Sequence, residues 1–284
     1  MGTVRLTVSD LARSREFYER AIGLRGSERE DGTLALGVEG EQPLIELTGD
    51  RSAGPLNRRS TGLYHLALLL PSRRDLALAL RRLAEARWPL DGASDHLVSE
   101  ALYLSDPDGN GIEIYRDRPR EDWPREDGTI QMATIPLDLQ GVIGELQSSD
   151  EQADTIPAGT RMGHVHLQVA DLADAEAFYS GALGFDVMVR GYPGALFVSA
   201  GGYHHHLGLN TWQSDGASPP PSGSIGLRSF DVLLPDEEQL ERTLEQVAAS
   251  GIESESFDGG ALVRDPSGNV VRLATAVPAA ASAP

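Results

Sequence analysis

Apolar and polar residues alternate along the opening of the chain, with Val4, Leu6 and Val8 on one side and Arg5 and Thr7 on the other. A period of two is that of a half-buried strand. Asp10 follows as a helix-capping side chain. The period then changes, with apolar residues at Leu11, Phe17, Tyr18, Ala21 and Ile22 before Gly23, a residue suited to a left-handed stop. Short apolar runs divided by glycines continue through Leu44–Leu47. The pattern therefore predicts a strand over Val4–Val8, a helix over Leu11–Ile22 and several short strands, a βαβββ module. A second module is predicted from a strand over Leu63–Leu70, a helix near Asp75–Ala86 and strands at Ala101–Leu104 and Ile112–Tyr115. The third runs from His164 to about Asn210 and the fourth from Leu227 to about Ala274.

The modules repeat in pairs. Asp10-Leu11-Ala12, Phe17-Tyr18 and Gly23-Leu24 return 161 positions later as Asp171-Leu172-Ala173, Phe178-Tyr179 and Gly184-Phe185. Asp106-Pro107-Asp108-Gly109-Asn110 has its counterpart in Asp265-Pro266-Ser267-Gly268-Asn269. The chain is thus expected to divide into an N-terminal half, residues 1–118, and a C-terminal half, residues 161–276, each of two modules. Residues 119–160 read as a Pro-rich, acidic linker, whose Trp123, Ile135, Pro136 and Leu137 predict that part of it packs. Residues 277–284 read as a disordered tail.

Composition narrows the chemistry. No run approaches the roughly 18 consecutive apolar residues of a membrane span, and the opening lacks the apolar core of a secretion signal. A cytoplasmic protein with no membrane partner is expected. The formal net charge is −19, from 43 acidic against 24 basic residues, a field that repels phosphate backbones and argues against nucleic acid as a partner. There is no cysteine, and every one of the 24 basic residues is arginine. Thiol, Fe–S, Schiff-base and P-loop chemistries are therefore closed to this chain. Histidine, carboxylate and tyrosine remain.

The seven histidines stand at 65, 96, 164, 166, 204, 205 and 206. Any one of them alone reads as structural or superficial; their concentration in and beside predicted strands does not. His164 and His166, two apart in a strand, face the same way. His65 opens the matching strand of module two. Glu113 lies between Ile112 and Ile114, a pattern that a strand with one solvated face accounts for. Inside a curved sheet the same carboxylate would need a partner. Two imidazoles and a carboxylate on one side of a metal leave open positions opposite, the donor set of non-haem Fe(II) oxygenases.

The four βαβββ modules, with the segments DPDGNGIEIY and HVHLQVADLADAEAFYSGALGF, resemble the vicinal-oxygen-chelate superfamily of extradiol dioxygenases, glyoxalase I and fosfomycin- or bleomycin-resistance proteins. The layout is similar to that of the two-domain bacterial catechol 2,3-dioxygenases. The resemblance implies an α+β fold in which curved mixed sheets form a metal cup. It implies a ligand histidine seven residues before the strand-ending aspartate, which is His164 before Asp171, with Glu113 after the Asp-Pro-Asp-Gly-Asn turn and His65 at the start of the preceding unit strand. The metal implied is Fe(II), with Mn(II) compatible, and the substrates are a small aromatic diol and O2. Thr3 stands in the histidine position of module one, and Ser229 and Arg272 in the histidine and glutamate positions of module four. The ligands then come from modules two and three, where the familiar extradiol enzymes use three and four. Modules two and three should accordingly share one cup and leave one and four to pair.

The resemblance further implies that Tyr103, ten residues before Glu113, hydrogen-bonds a diol oxygen. It places an acid/base histidine in the run Tyr203–Leu209. Matching His-x-Leu-Gly selects His205, whereas strict alternation points His204 and His206 inward, and both readings stay open. His166 and His206 are expected among the substrate contacts, and His96 is expected to close over the substrate. Two other functions are compatible with the scaffold: a non-redox lyase or isomerase, for which Glu46 is the one obvious further glutamate, and a binding or resistance protein without catalysis. Assembly into a homo-oligomer is left open by the pattern.

Overall fold

The computed structural model describes residues 1–147, 150 and 154–276, so the tail expected at 277–284 lies outside the described residues. The protein is a mixed α+β fold built on two large, mixed sheets. One holds nine strands and takes in modules two and three, which meet where Gly62–Leu70 runs antiparallel to Arg161–Gln168. The other holds eight strands and takes in modules one and four, which meet where Val4–Val8 runs antiparallel to Gly226–Leu234. This is the pairing expected from the placement of the candidate ligands. Each sheet thus draws one module from each half of the chain.

The helices join the modules the other way. Arg73–Glu85 of module two packs on Tyr18–Ile22 of module one, and Glu237–Ala249 of module four packs on Ala177–Ala182 of module three. A large apolar core, with Leu6, Leu36 and Ile45 of one sheet and Leu66, Leu102 and Leu167 of the other, runs between them. Among the described residues no helix is long and apolar enough to cross a membrane.

The repeated landmarks touch each other. Asp10 and Asp171 cap their helices by accepting from Arg13 N and from Ala173 N and Asp174 N. Each α-helical turn then widens into a π-helical stretch, Tyr18–Ile22 and Ala177–Ala182. The helix expected over Leu11–Ile22 is therefore α-helical only to Phe17; the amides of Gly23 and Leu24 both reach back to the Tyr18 carbonyl. Tyr18 donates to Asp106 of the next module's turn at 3.2 Å, and Tyr179 donates to Asp265 at 2.9 Å. Each of these aspartates also accepts from backbone amides of its own turn and from Asn110 or Asn269. These buried bonds fix where each turn delivers the strand that follows it.

One expected strand is shorter than its pattern. Of Tyr203–Leu209, only Leu207 onward, in Leu207–Asn210, is a strand. Gly201 and Gly202 are both left-handed, and they bring the three consecutive histidines round as an irregular segment before pairing begins. The linker packs as expected at Trp123 and Leu137, both buried, while Ile135 stays exposed and joins the sheet edge through its backbone against Asp95.

Candidate metal centre

Adjacent strands of the nine-stranded sheet set four positions side by side: Tyr103 opposite Glu113, Glu113 opposite Ala67, and Ala67 opposite His164. His166 lies opposite His65. Side chains at such cross-strand positions share a face. Ala67, with only a methyl, leaves space for its two longer neighbours to meet above it. Glu113 Oε2 lies 3.1 Å from His164 Nε2 and 3.0 Å from His65 Nε2. All three residues are buried, and one donor atom of each lies within 4.8 Å of the others.

This set fits a metal ion. Cis ligands of an octahedral ion with bonds of about 2.1 Å stand roughly 3 Å apart. His65 Nε2 is buried and makes no hydrogen bond despite the carboxylate beside it. His164 Nε2 and Glu113 share a hydrogen bond, while His65 Nε2 is left over, aimed at the same carboxylate oxygen. Burial works against a charge on Glu113, but the facing imidazoles of His164 and His65 hold its carboxyl well below the ordinary carboxylate range. Burial lowers the pKa of His164, against the pull of Glu113. A neutral imidazole beside an ionised carboxylate is the protonation state that metal ligation requires.

Above the cup lies a cavity of about 640 Å³. Tyr64, Tyr192, Phe197 and Trp212 form an aromatic wall, with Tyr64 and Trp212 edge to face at 5.3 Å. The linker supplies Met132, Ala133 and Thr134 as the opposite wall. His65, Glu113, Tyr103, His96, His166 and His205 all face this space.

The remaining candidates fall into two groups. Tyr103 sits 2.6 Å from His96 Nε2, and His96 Nδ1 sits 2.7 Å from the Ala133 carbonyl. A carbonyl only accepts, so His96 carries its proton on Nδ1 and accepts a hydrogen bond from the Tyr103 hydroxyl at Nε2. His96 therefore holds Tyr103, a role that its loop position did not disclose. Burial and the nearby Glu113 push the Tyr103 phenol well above its ordinary range. His166 is buried with Nε2 unpartnered, and Gly208 opposite leaves room for its ring: a Cβ there would come within 2.8 Å. Burial, then the other histidines, keep His166 and His205 well below the ordinary imidazole range. The ring of His205 is 4.1 Å from that of His164.

His204 and His206 lie elsewhere. His206, expected among the substrate contacts, turns to Ser199 Oγ at 2.9 Å and does not line the cavity, because the irregular approach to the strand offsets strict alternation. His204 is buried behind His205 and bonded to Asp117 at 2.8 Å. Glu46 lies in the other sheet, paired with Arg5 at 2.8 Å and Arg29 at 2.7 Å. Sequence reasoning passed over Asp117 and the aromatic wall. Period two along Gly111–Asp117 could have found Asp117, since it shares a face with Glu113 and Tyr115.

The sequence profile of the Glyoxalase/Bleomycin resistance protein/Dioxygenase superfamily matches residues 1–114 and 161–273. A protein of Bacillus subtilis (strain 168) named catechol-2,3-dioxygenase is 45% identical over 270 residues, covering 94% of this chain and 93% of the relative. Among solved structures, a protein of Bacillus subtilis subsp. subtilis str. 168 superposes with a TM-score of 0.66 at 17% identity, covering 98% of this chain and 86% of that one. Glyoxalase I from Zea mays superposes with a TM-score of 0.59 at 17% identity, covering 97% and 92%. The chain belongs to the glyoxalase/bleomycin resistance protein/dioxygenase superfamily.

Proposed function

We propose that this protein is an extradiol ring-cleavage dioxygenase that inserts O2 into a catecholic substrate at a non-haem Fe(II) centre held by His65, Glu113 and His164. Mn(II) suits the same donors. The observation that carries this reading is the convergence of three buried donor atoms, with two of their residues, His65 and Glu113, lining an aromatic cavity. A relative named catechol-2,3-dioxygenase across almost the whole chain supports it. A bound divalent ion would supply Lewis-acid and redox chemistry, and act as a template for diol and O2.

The chain's own residues do the rest. The wall of Tyr64, Phe197 and Trp212 takes the face or edge of an aromatic ring and excludes water from it. Tyr103, its proton held by His96, accepts a hydrogen bond from a diol hydroxyl. His205 is neutral because of its burial, so it can accept a proton from the diol hydroxyl and return it as the ring opens. His166, also neutral, offers a hydrogen bond on the side of the cup next to His65. Opening the ring adjacent to the diol gives a hydroxymuconic-semialdehyde type product. A glyoxalase-like reading lacks a second glutamate at the cup, since Glu46 is held in the other sheet.

The test is product identity. Protein reconstituted anaerobically with Fe(II) and then mixed with air and catechols should give a yellow ring-opened product, slowed in Tyr103→Phe. Tightly bound metal with no oxygen uptake across a panel of catechols would overturn the reading in favour of a non-redox activity.

A further inference from the structure

We propose that Asp117 and His204 are positioning residues that set the tautomer of His205, placing its proton on Nδ1 and leaving Nε2 bare. Asp117 Oδ1 lies 2.8 Å from His204 Nε2, and a carboxylate only accepts, so His204 donates from Nε2. His204 Nδ1 and His205 Nδ1 face each other at 2.8 Å, and only one of two such nitrogens can carry the shared proton. With the His204 proton committed to Asp117, its Nδ1 accepts and His205 Nδ1 donates. His205 Nε2 has no hydrogen-bond partner among the described residues, and His205 lines the cavity.

The surroundings hold this chain of bonds in one arrangement. Asp117 also accepts from the Tyr203 hydroxyl at 3.2 Å, and Tyr203 is in turn 2.8 Å from the Tyr115 hydroxyl. The His204 ring lies between Tyr203, 4.0 Å between centroids, and Trp123 of the linker, at 5.2 Å. Arg120 lies over both Trp123 and Tyr203, at 5.4 and 5.7 Å. The competing arrangement has both His204 nitrogens protonated and the His205 proton on Nε2. It would put a buried cation with its ring 6.4 Å from that of His164 and with Asp117 alone to offset it. A carboxylate orienting an imidazole is a familiar way to fix which nitrogen acts as base; here a second imidazole is interposed between them. The use of His205 as acid/base rests on the function proposed above, whereas the tautomer does not.

The experiment is a long-range ¹⁵N–¹H correlation spectrum of ¹⁵N-histidine-labelled, Zn(II)-substituted protein. Wild type should show His205 protonated on Nδ1. His204→Leu removes the acceptor and should move that proton to Nε2, whereas His204→Asn, whose Oδ1 stands near the lost Nδ1, should retain it. In the Fe(II) protein, His204→Leu should lower kcat by about 10–100-fold with KM little changed, and His204→Asn should recover most of the loss. A wild-type His205 protonated on Nε2 would overturn the proposal, as would an unchanged tautomer in a folded His204→Leu. Should the leucine variant fail to fold, the wild-type and His204→Asn spectra still decide. Absence of dioxygenase turnover in wild type would count against the function and leave the tautomer result standing.

Discussion

The two sheets are built on one plan, yet the cup positions of each hold opposite chemistry. Strand register makes the correspondence residue by residue. Where modules two and three place His166 opposite His65 and opposite Gly208, modules one and four place Arg5 opposite Ser229 and opposite Glu46. Where one sheet sets Ala67 beside Glu113, the other sets Asp231 beside Arg272. In the second sheet opposite charges face each other: Arg5 pairs with Glu46 at 2.8 Å and with Asp231 at 2.5 Å, and Arg272 lies 3.2 Å from Asp231 and 3.9 Å over the Phe257 ring. In the first sheet one carboxylate faces two imidazoles. Small residues, Ala67 and Gly208, keep room open, and His65 Nε2 and His166 Nε2 are left without a hydrogen-bond partner. A network of donors matched to acceptors consolidates a fold, whereas acceptors gathered around a gap call for a cation.

The sharpest way to break this comparison is to remove the carboxylate from the open cup. Glu113→Gln should lose bound metal and lower turnover by roughly 1,000-fold or more, since a metal contributes several kcal/mol to the reaction. The global stability of the metal-free protein is expected to change far less than its activity, as a denaturation curve beside an oxygen electrode would show. The converse substitution, Asp231→Ala in the closed cup, should cost about 2–4 kcal/mol, because it leaves Arg272 without its carboxylate and Arg5 with Glu46 alone in a partly buried site. Its metal content should stay that of wild type; loss of metal would mean that the two cups are coupled.

The legibility of the sequence divides along similar lines. The modules, the 161-residue repeat and the capping aspartates were plain, because each depends on local periodicity and turn chemistry. His65, Glu113 and His164 could be selected, and the pairing of modules two and three followed from them. The partners of those residues were not legible, because they arrive from far along the chain: Asp117 meets His204 across 87 positions, and the linker carbonyl of Ala133 meets His96 across 37. The irregular approach to Leu207–Asn210 also defeated strict alternation, so His206, placed inward by period two, packs against Ser199. Tolerances between strands are equally invisible until the strands are paired.

Those tolerances give a smaller test. A Cβ at Gly163 would lie 1.9 Å from the Tyr115 hydroxyl, and one at Gly208 would lie 2.8 Å from the His166 ring. Gly163→Ala and Gly208→Ala should each cost about 1–3 kcal/mol by overpacking, measured by chemical denaturation. Equal stability in Gly208→Ala would mean that the His166 ring has slack not evident in the cup.

The smallest expected effect concerns acid. Burial lowers the pKa of His206 to about 4, so the folded protein binds fewer protons there than the unfolded chain does between roughly pH 6.5 and 4. Stability from this group is complete above about pH 6.5 and falls on acidification, by at most about 1.4 kcal/mol per pH unit. His206→Gln should flatten the acid limb of the metal-free protein by up to that slope and leave turnover at pH 7.5 close to wild type. An unchanged acid limb would show that His206 is not held neutral.

The most direct test of the central claim is iron bound per chain, measured together with oxygen consumed per catechol, in wild type and in Glu113→Gln after anaerobic loading with Fe(II). One iron per chain and one O2 per catechol are expected in wild type, with both lost in the variant. Full iron loading and undiminished oxygen uptake in Glu113→Gln would contradict the claim.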